Sequence, residues 1–111
     1  MTHITEFGRV MSIGDVEDGK DLFVQKLVDD QIRTVLAISL KNGAILAKHK
    51  AAEPITVLCF RGKATFRAGE GLSEVAEMVE GTLIAVDANI EHEVRALPNT
   101  QIIVTKFKNS D

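Results

Sequence analysis

The chain has 111 residues, 45% of them hydrophobic and 26% charged, with a net charge of -3. This is the balance of one ordinary globular domain with apolar material for a single core. No apolar run approaches the ~20 residues of a membrane span, and no segment concentrates Lys or Arg, so neither a membrane nor a nucleic acid is expected as a partner.

The first residues, 1–9, read as an N-terminal arm that a partner subunit would order. They contain no basic stretch followed by an apolar one, so no signal peptide is expected. The single cysteine, Cys59, has no internal disulfide partner. Both features point to a reducing cytoplasm. Along the chain, turn signals fall at Asp29-Asp30, Asn42-Gly43, Arg61-Gly62, 68–71, Glu80-Gly81, 87–89 and Pro98-Asn99. Between them lie short runs rich in Val, Ile, Leu, Phe and Thr. The runs at 22–28, 32–40, 55–60, 63–67, 82–86 and 101–107 read as strands, because apolar and polar residues alternate within them. Regular short strands of this kind make a sandwich or a barrel. Asn42-Gly43 reads as a hairpin turn, since both residue types tolerate positive φ. The run 101–107 is apolar on both faces at its start, as is 35–40. Such strands need cover on both sides, from a second sheet or a second subunit, and a homodimer is expected.

Two segments carry more than a strand pattern. Residues 43–66 read GAILAKHKAAEPITVLCFRGKATF, and residues 81–96 read GTLIAVDANIEHEVRA. The first resembles the opening motif of the cupins, G-x5-H-x-H-x3,4-E-x6-G, through Gly43, His49 and Gly62. The second resembles their other motif, G-x5-P-x-G-x2-H-x3-N, through Gly81 and His92. Together they cover about half the chain. The resemblance is to small single-domain cupins of the conserved-barrel, RmlC-like type. It implies an all-β double-stranded β-helix, a jelly-roll barrel spanning 1–111, with His49 and His92 brought together at its mouth.

The departures from the motifs bear on chemistry. Cupins hold a divalent cation with three His and one Glu. Here the second His position is Ala51, and the Glu position is Ile55, or Thr56 at the longer spacing. The proline and second glycine of the second motif are Asp87 and Asn89, and its asparagine is Ala96. Asn and Asp accept turn geometry, so the backbone is expected to keep its course at 87–89. Glu53, Glu91 and Glu93 are the carboxylates nearest the motif histidines. Glu53 is the expected replacement ligand, because Glu91 and Glu93 adjoin His92 on a strand and face away from it.

Three readings follow. In the first, His49, His92 and Glu53 hold a divalent metal (Zn, Mn, Fe or Ni) in a metal-dependent enzyme of the oxygenase or isomerase type. In the second, no metal is bound. The barrel then binds a small, largely apolar molecule among Ile45, Ala47, Val57, Phe66 and Val94, with the two histidines as its polar groups. In the third, the barrel is a dimerisation module. Metal and no metal stand equal, and small-molecule binding is preferred to catalysis. Cys59 is read as a small buried apolar residue and Met78 as core filler. Glu70, Glu74, Glu77 and Glu80 are read as a solvated strand face.

Overall fold

The computed structural model describes residues 2–6, 8–14 and 20–108, with the backbone alone for residues 2–5, 48 and 49. The strands are β1 (Thr2–Thr5), β2 (Gly8–Met11), β3 (Leu22–Asp29), β4 (Arg33–Leu40), β5 (Ile45–His49), β6 (Ile55–Ala68), β7 (Glu74–Met78), β8 (Leu83–Val86) and β9 (His92–Phe107). The one helical element among the described residues is a single 3-10 turn, Glu70–Leu72. None of their helices is long and apolar enough to cross a membrane.

The long strands β6 and β9 pair with each other along nearly their whole lengths, from Ile55↔Lys106 to Ala68↔His92. On the far edge of β9, β4 pairs with its second half and β5 with its first, both antiparallel. On the far edge of β6, β8 pairs with its first half and β7 with its second. So β4 and β5 advance in one direction along β9, and β7 and β8 do the same along β6. The chain forms four antiparallel ribbons, each bent near its middle. The halves on either side of the bend are the two layers of a jelly roll. One layer is β3-β4-β9-β6-β8, and the other is β5-β9-β6-β7.

The bends fall where the sequence places its turn residues, and those at 61–62 and 97–99 lie inside a single strand. Asn42 and Gly43 do take positive φ, 57° and 72°. Ala44 N bonds to Lys41 O at 3.0 Å, closing a turn. Yet β4 and β5 do not pair with each other, so the expected hairpin is instead a corner in one ribbon. Gly43 N and the side chain of Asn99 tie this corner to β9, through bonds to Pro98 O at 2.8 Å and from Asn42 N at 3.0 Å. Next to it, Gly62 (φ +76°) lies so close to β9 that a Cβ would overlap the carbonyl oxygen of Asn99. Only glycine fits there, by conformation and by space. The expected strands at 55–60 and 63–67 are accordingly one strand, with bulges on either side of Arg61 and Gly62. The run at 101–107 is the second half of a strand that begins at His92.

The core lies between the layers. It includes Ile38, Leu40, Ile55, Val57, Cys59, Ala64, Phe66, Met78, Val94, Ala96, Ile102 and Val104. The bulge between Cys59 and Arg61 explains its odd numbering, since the inward positions are 55, 57 and 59 before the bend and 64 and 66 after it. Bulges shift the side-chain alternation by one residue without breaking the ladder. In β4 both faces are buried at Ala37 to Leu40. The outer face gains cover from residues 12–14, where Gly14 N donates to Gln25 Oε1 at 2.7 Å and Gln25 Nε2 donates to Ser12 O at 3.0 Å. Gln25 is the cross-strand partner of Ala37. In the N-terminal arm, β1 and β2 pair with each other as a separate two-stranded sheet.

Candidate functional site

The ends of the ribbons opposite the bend form a mouth. Its loops are tied across the barrel, with Asn89 N bonded to Ala51 O at 2.8 Å and Gly69 N bonded to Glu91 O at 2.9 Å. Asn89 adopts φ 65°, so asparagine holds the left-handed turn expected of it where the motif has glycine.

At this mouth the backbones of His49 and His92 lie directly opposite each other in the β5-β9 ladder. Residues 43 positions apart in sequence thus meet, as the motif spacing implied. The side chain of His49 lies outside the described residues. That of His92 is 2% exposed, buried at the first inward position of β9. Its Nδ1 lies 2.9 Å from the carbonyl oxygen of Ile90. A carbonyl only accepts, so Nδ1 carries a proton. The imidazole also stacks on Phe66, with centroids 5.9 Å apart and planes inclined by 17°. Hydrogen bond and stack together fix the ring plane.

His92 borders a cavity of about 160 Å³ between the layers. Leu36, Ile38, Ile55, Val57, Ile102 and Val104 line it from one layer, with Val24 at its edge, and Leu46 and Val94 line it from the other. Of the lining expected from sequence, Val57 and Val94 are present. Ile45 and Ala47 instead face outward and are exposed, Ile45 at 45%. The cause is a bulge in β5, where Leu46 pairs with Val94 and His49 with His92, so that three steps of β5 span two of β9. The alternation expected to run unbroken from Ile45 to His49 is therefore interrupted. Phe66 belongs to a second, more open hollow of about 450 Å³ on the β7-β8 side, with Ala76, Ile84, Val86 and Ile90. The stacked rings of Phe66 and His92 stand between the two spaces.

One polar residue of the cavity was not singled out from sequence. Lys106 lines it as well, at the last inward position of β9. Its parity with Ile102 and Val104 was legible in the sequence. That this parity faces the cavity, rather than solvent, was not.

Glu53 is half-buried in the turn between β5 and β6 and is not among the described residues that line the cavity. Cys59 is fully buried at the bend, far from the mouth, with Sγ 3.5 Å from Thr100 Oγ1. Met78 is fully buried in the core, as expected.

The four-ligand metal centre that the motifs imply does not fit these residues. Two of its four positions are hydrocarbon. Ile55, 3% exposed, projects into the cavity, and Ala51 packs against the core. Among the described residues no three His, Cys, Asp or Glu side chains gather in a way that could hold an ion.

Comparison with family models gives no match to the sequence, and comparison with curated proteins gives none either. Solved structures do match. A cupin superfamily protein from Desulfitobacterium hafniense superposes with a TM-score of 0.77 over 86% of this chain and 84% of its own, at 10% identity. An RmlC-like cupin with a double-stranded β-helix fold, from Methanocaldococcus jannaschii, does so with a TM-score of 0.71 over 90% and 93%, at 18% identity. The chain has the cupin fold. A conserved protein of unknown function from Streptococcus pyogenes shares this cupin barrel over 100% of the present chain and 98% of its own, with a TM-score of 0.75 and 21% identity. At such identities the likeness fixes the fold and leaves the ligand to the residues of the cavity.

Proposed function

We propose that this cupin barrel binds a small, compact, largely apolar molecule in the cavity between its layers, with His92 as an orienting polar group. The observation that carries this is the cavity itself, which is lined by branched aliphatic side chains and bordered at its mouth by the imidazole of His92, held by Ile90 and Phe66. Its volume of about 160 Å³ is close to the ~150 Å³ of an engineered apolar cavity that takes up benzene. Hydrocarbon walls supply affinity by desolvation, and a few fixed polar groups supply orientation.

The test is a fragment screen read by methyl NMR on Ile38, Ile55, Val57 and Val104. Compact apolar fragments should shift these resonances together, and His92→Gln should alter the affinities of fragments that carry a hydrogen-bonding group. A screen in which no fragment perturbs these methyls would overturn the proposal.

A second reading keeps a divalent cation at His49, His92 and Glu53, with metal-dependent chemistry on a small molecule. The backbone pairing of His49 with His92 favours it, because cross-strand partners lie within the ~5 Å that two ligands of one ion require. Elemental analysis of untagged protein beside His49→Ala and His92→Ala decides it. Near-stoichiometric metal lost in both variants would establish this reading. No uptake from Zn, Mn, Fe or Ni salts would remove it.

A further inference from the structure

We infer that the ligand of the cavity is a small monocarboxylate, held tail-inward with its carboxylate at the ammonium group of Lys106. The inference names the ligand class for the binding proposed above and depends on the barrel taking up a small molecule there.

Three observations carry it. The first is position. His92 and Lys106 are the first and last inward residues of β9, whose two halves rise from the bend at 97–99 into opposite layers. Both line one cavity, and both stand at its mouth end. The remaining wall, between them and the bend, is aliphatic. The cavity is thus amphipathic along one axis, polar at the opening and apolar toward the bend.

The second is charge. No acidic residue lines the cavity among the described residues. Lys106 also enters none of their ion pairs, in which Lys26 and Lys108 are bound to Asp29, and Arg33 to Asp30. Its cross-strand neighbours are Thr34 and Ile55, neither of them a counter-charge. A half-buried lysine beside an apolar cavity, with no carboxylate assigned to it among the described residues, is what an anionic headgroup would complete. In such a partly desolvated place a charge-assisted hydrogen bond is stronger than at the open surface.

The third is size. A space of about 160 Å³ admits a body near that of benzene. This suits a branched or cyclic acid of about six to nine heavy atoms whose carboxylate projects to the mouth, and it leaves no room for a long acyl chain.

The experiment compares 4-methylpentanoate with 4-methylpentanamide, and benzoate with benzamide. Binding is read by methyl NMR titration on the wild-type protein, Lys106→Met and Lys108→Met. Each acid should bind at least tenfold more tightly than its amide to the wild type. Lys106→Met should bring that ratio to about one, whereas Lys108→Met, which removes a neighbouring charge paired with Asp29, should preserve it. Equal affinity of acid and amide for the wild type, or a preference that survives in Lys106→Met, would overturn the inference and leave small-molecule binding standing. Absence of binding by any of the four compounds would overturn both.

Discussion

The imidazole of His92 lies nearly parallel to the ring of Phe66, 5.9 Å away between centroids, and the two residues are diagonal neighbours across the β6-β9 ladder. Ala68, directly opposite His92, is small enough to leave the space the stack occupies. The orientation of the site imidazole therefore depends on a residue outside both histidine-bearing strands. Phe66→Leu should cost about 1–2 kcal/mol of stability, from lost stacking and imperfect filling. It should also move the ring protons of His92 downfield as the aromatic current above them disappears. Urea denaturation and proton NMR check the two effects separately. An unchanged His92 spectrum would show that Phe66 does not set the ring.

Gly62 is held against the backbone of β9 at Asn99 with φ +76°. Gly62→Ala should lose on the order of 3 kcal/mol or more, combining left-handed strain with a clash against main chain that no side chain can relieve. Gly43→Ala, at a comparable φ of +72° but with nothing within 4 Å of a Cβ, should lose only about 1–2 kcal/mol. Denaturant midpoints of the two variants give the comparison. Equal losses would mean that close approach at the bend contributes nothing beyond conformation.

Asp29 should titrate unusually low. Its carboxylate accepts hydrogen bonds from Lys108 at 2.7 Å, from Lys26 at 3.3 Å and from Thr34 at 3.2 Å. These bonds, that of Lys108 foremost, hold its pKa at about 2 against an ordinary 3.8. The folded state thus favours the ionised form. The stabilisation is fully present above the ordinary value and is lost as the pH falls through the folded one, toward 2. The group is exposed, so the effect on stability is small, and the carboxyl carbon shift of Asp29 is the direct readout. Lys108→Met should raise its pKa toward the ordinary value. A titration unchanged by that variant would show that the contact does not persist in solution.

Restoring the two hydrocarbon positions should create a metal site. Ala51→His combined with Ile55→Glu supplies the ligand types that the motif spacing calls for, beside His49 and His92. The double variant should take up Zn or Mn at least tenfold more tightly than the parent, as measured by competition with a chromophoric chelator. Without metal it should be less stable than the parent by about 2–4 kcal/mol, because the introduced carboxylate would be buried unpaired. Equal metal affinity in the two proteins would mean that positions 51 and 55 do not converge with the histidines.

How far the sequence reaches is clear from particular residues. Alternation located the strands, and Asn42-Gly43, Arg61-Gly62 and Pro98-Asn99 located the bends. A local turn residue determines the sign of φ. It does not determine whether the chain beyond the turn pairs back on itself or continues along a third strand, so Asn42-Gly43 read as a hairpin and is a corner. That His49 and His92 meet was implied by the resemblance to the cupin motifs and not by alternation, and their backbones do pair in the β5-β9 ladder.

By itself, then, the sequence determined an all-β chain with its turn residues in place and, through the motif resemblance, a pair of histidines at one end. It also determined that two of the family's ligand positions are hydrocarbon, which the residues at 51 and 55 settle alone. Only the tertiary structure decided which face of each ribbon meets the cavity. Bulges at 46–49 and 59–61 shift the alternation by one residue, and a bulge is stabilised by the strand opposite it. That is why Ile45 and Ala47 face solvent and Leu46 the cavity, while Lys106 stands at its mouth because the layer opposite covers the even positions of β9.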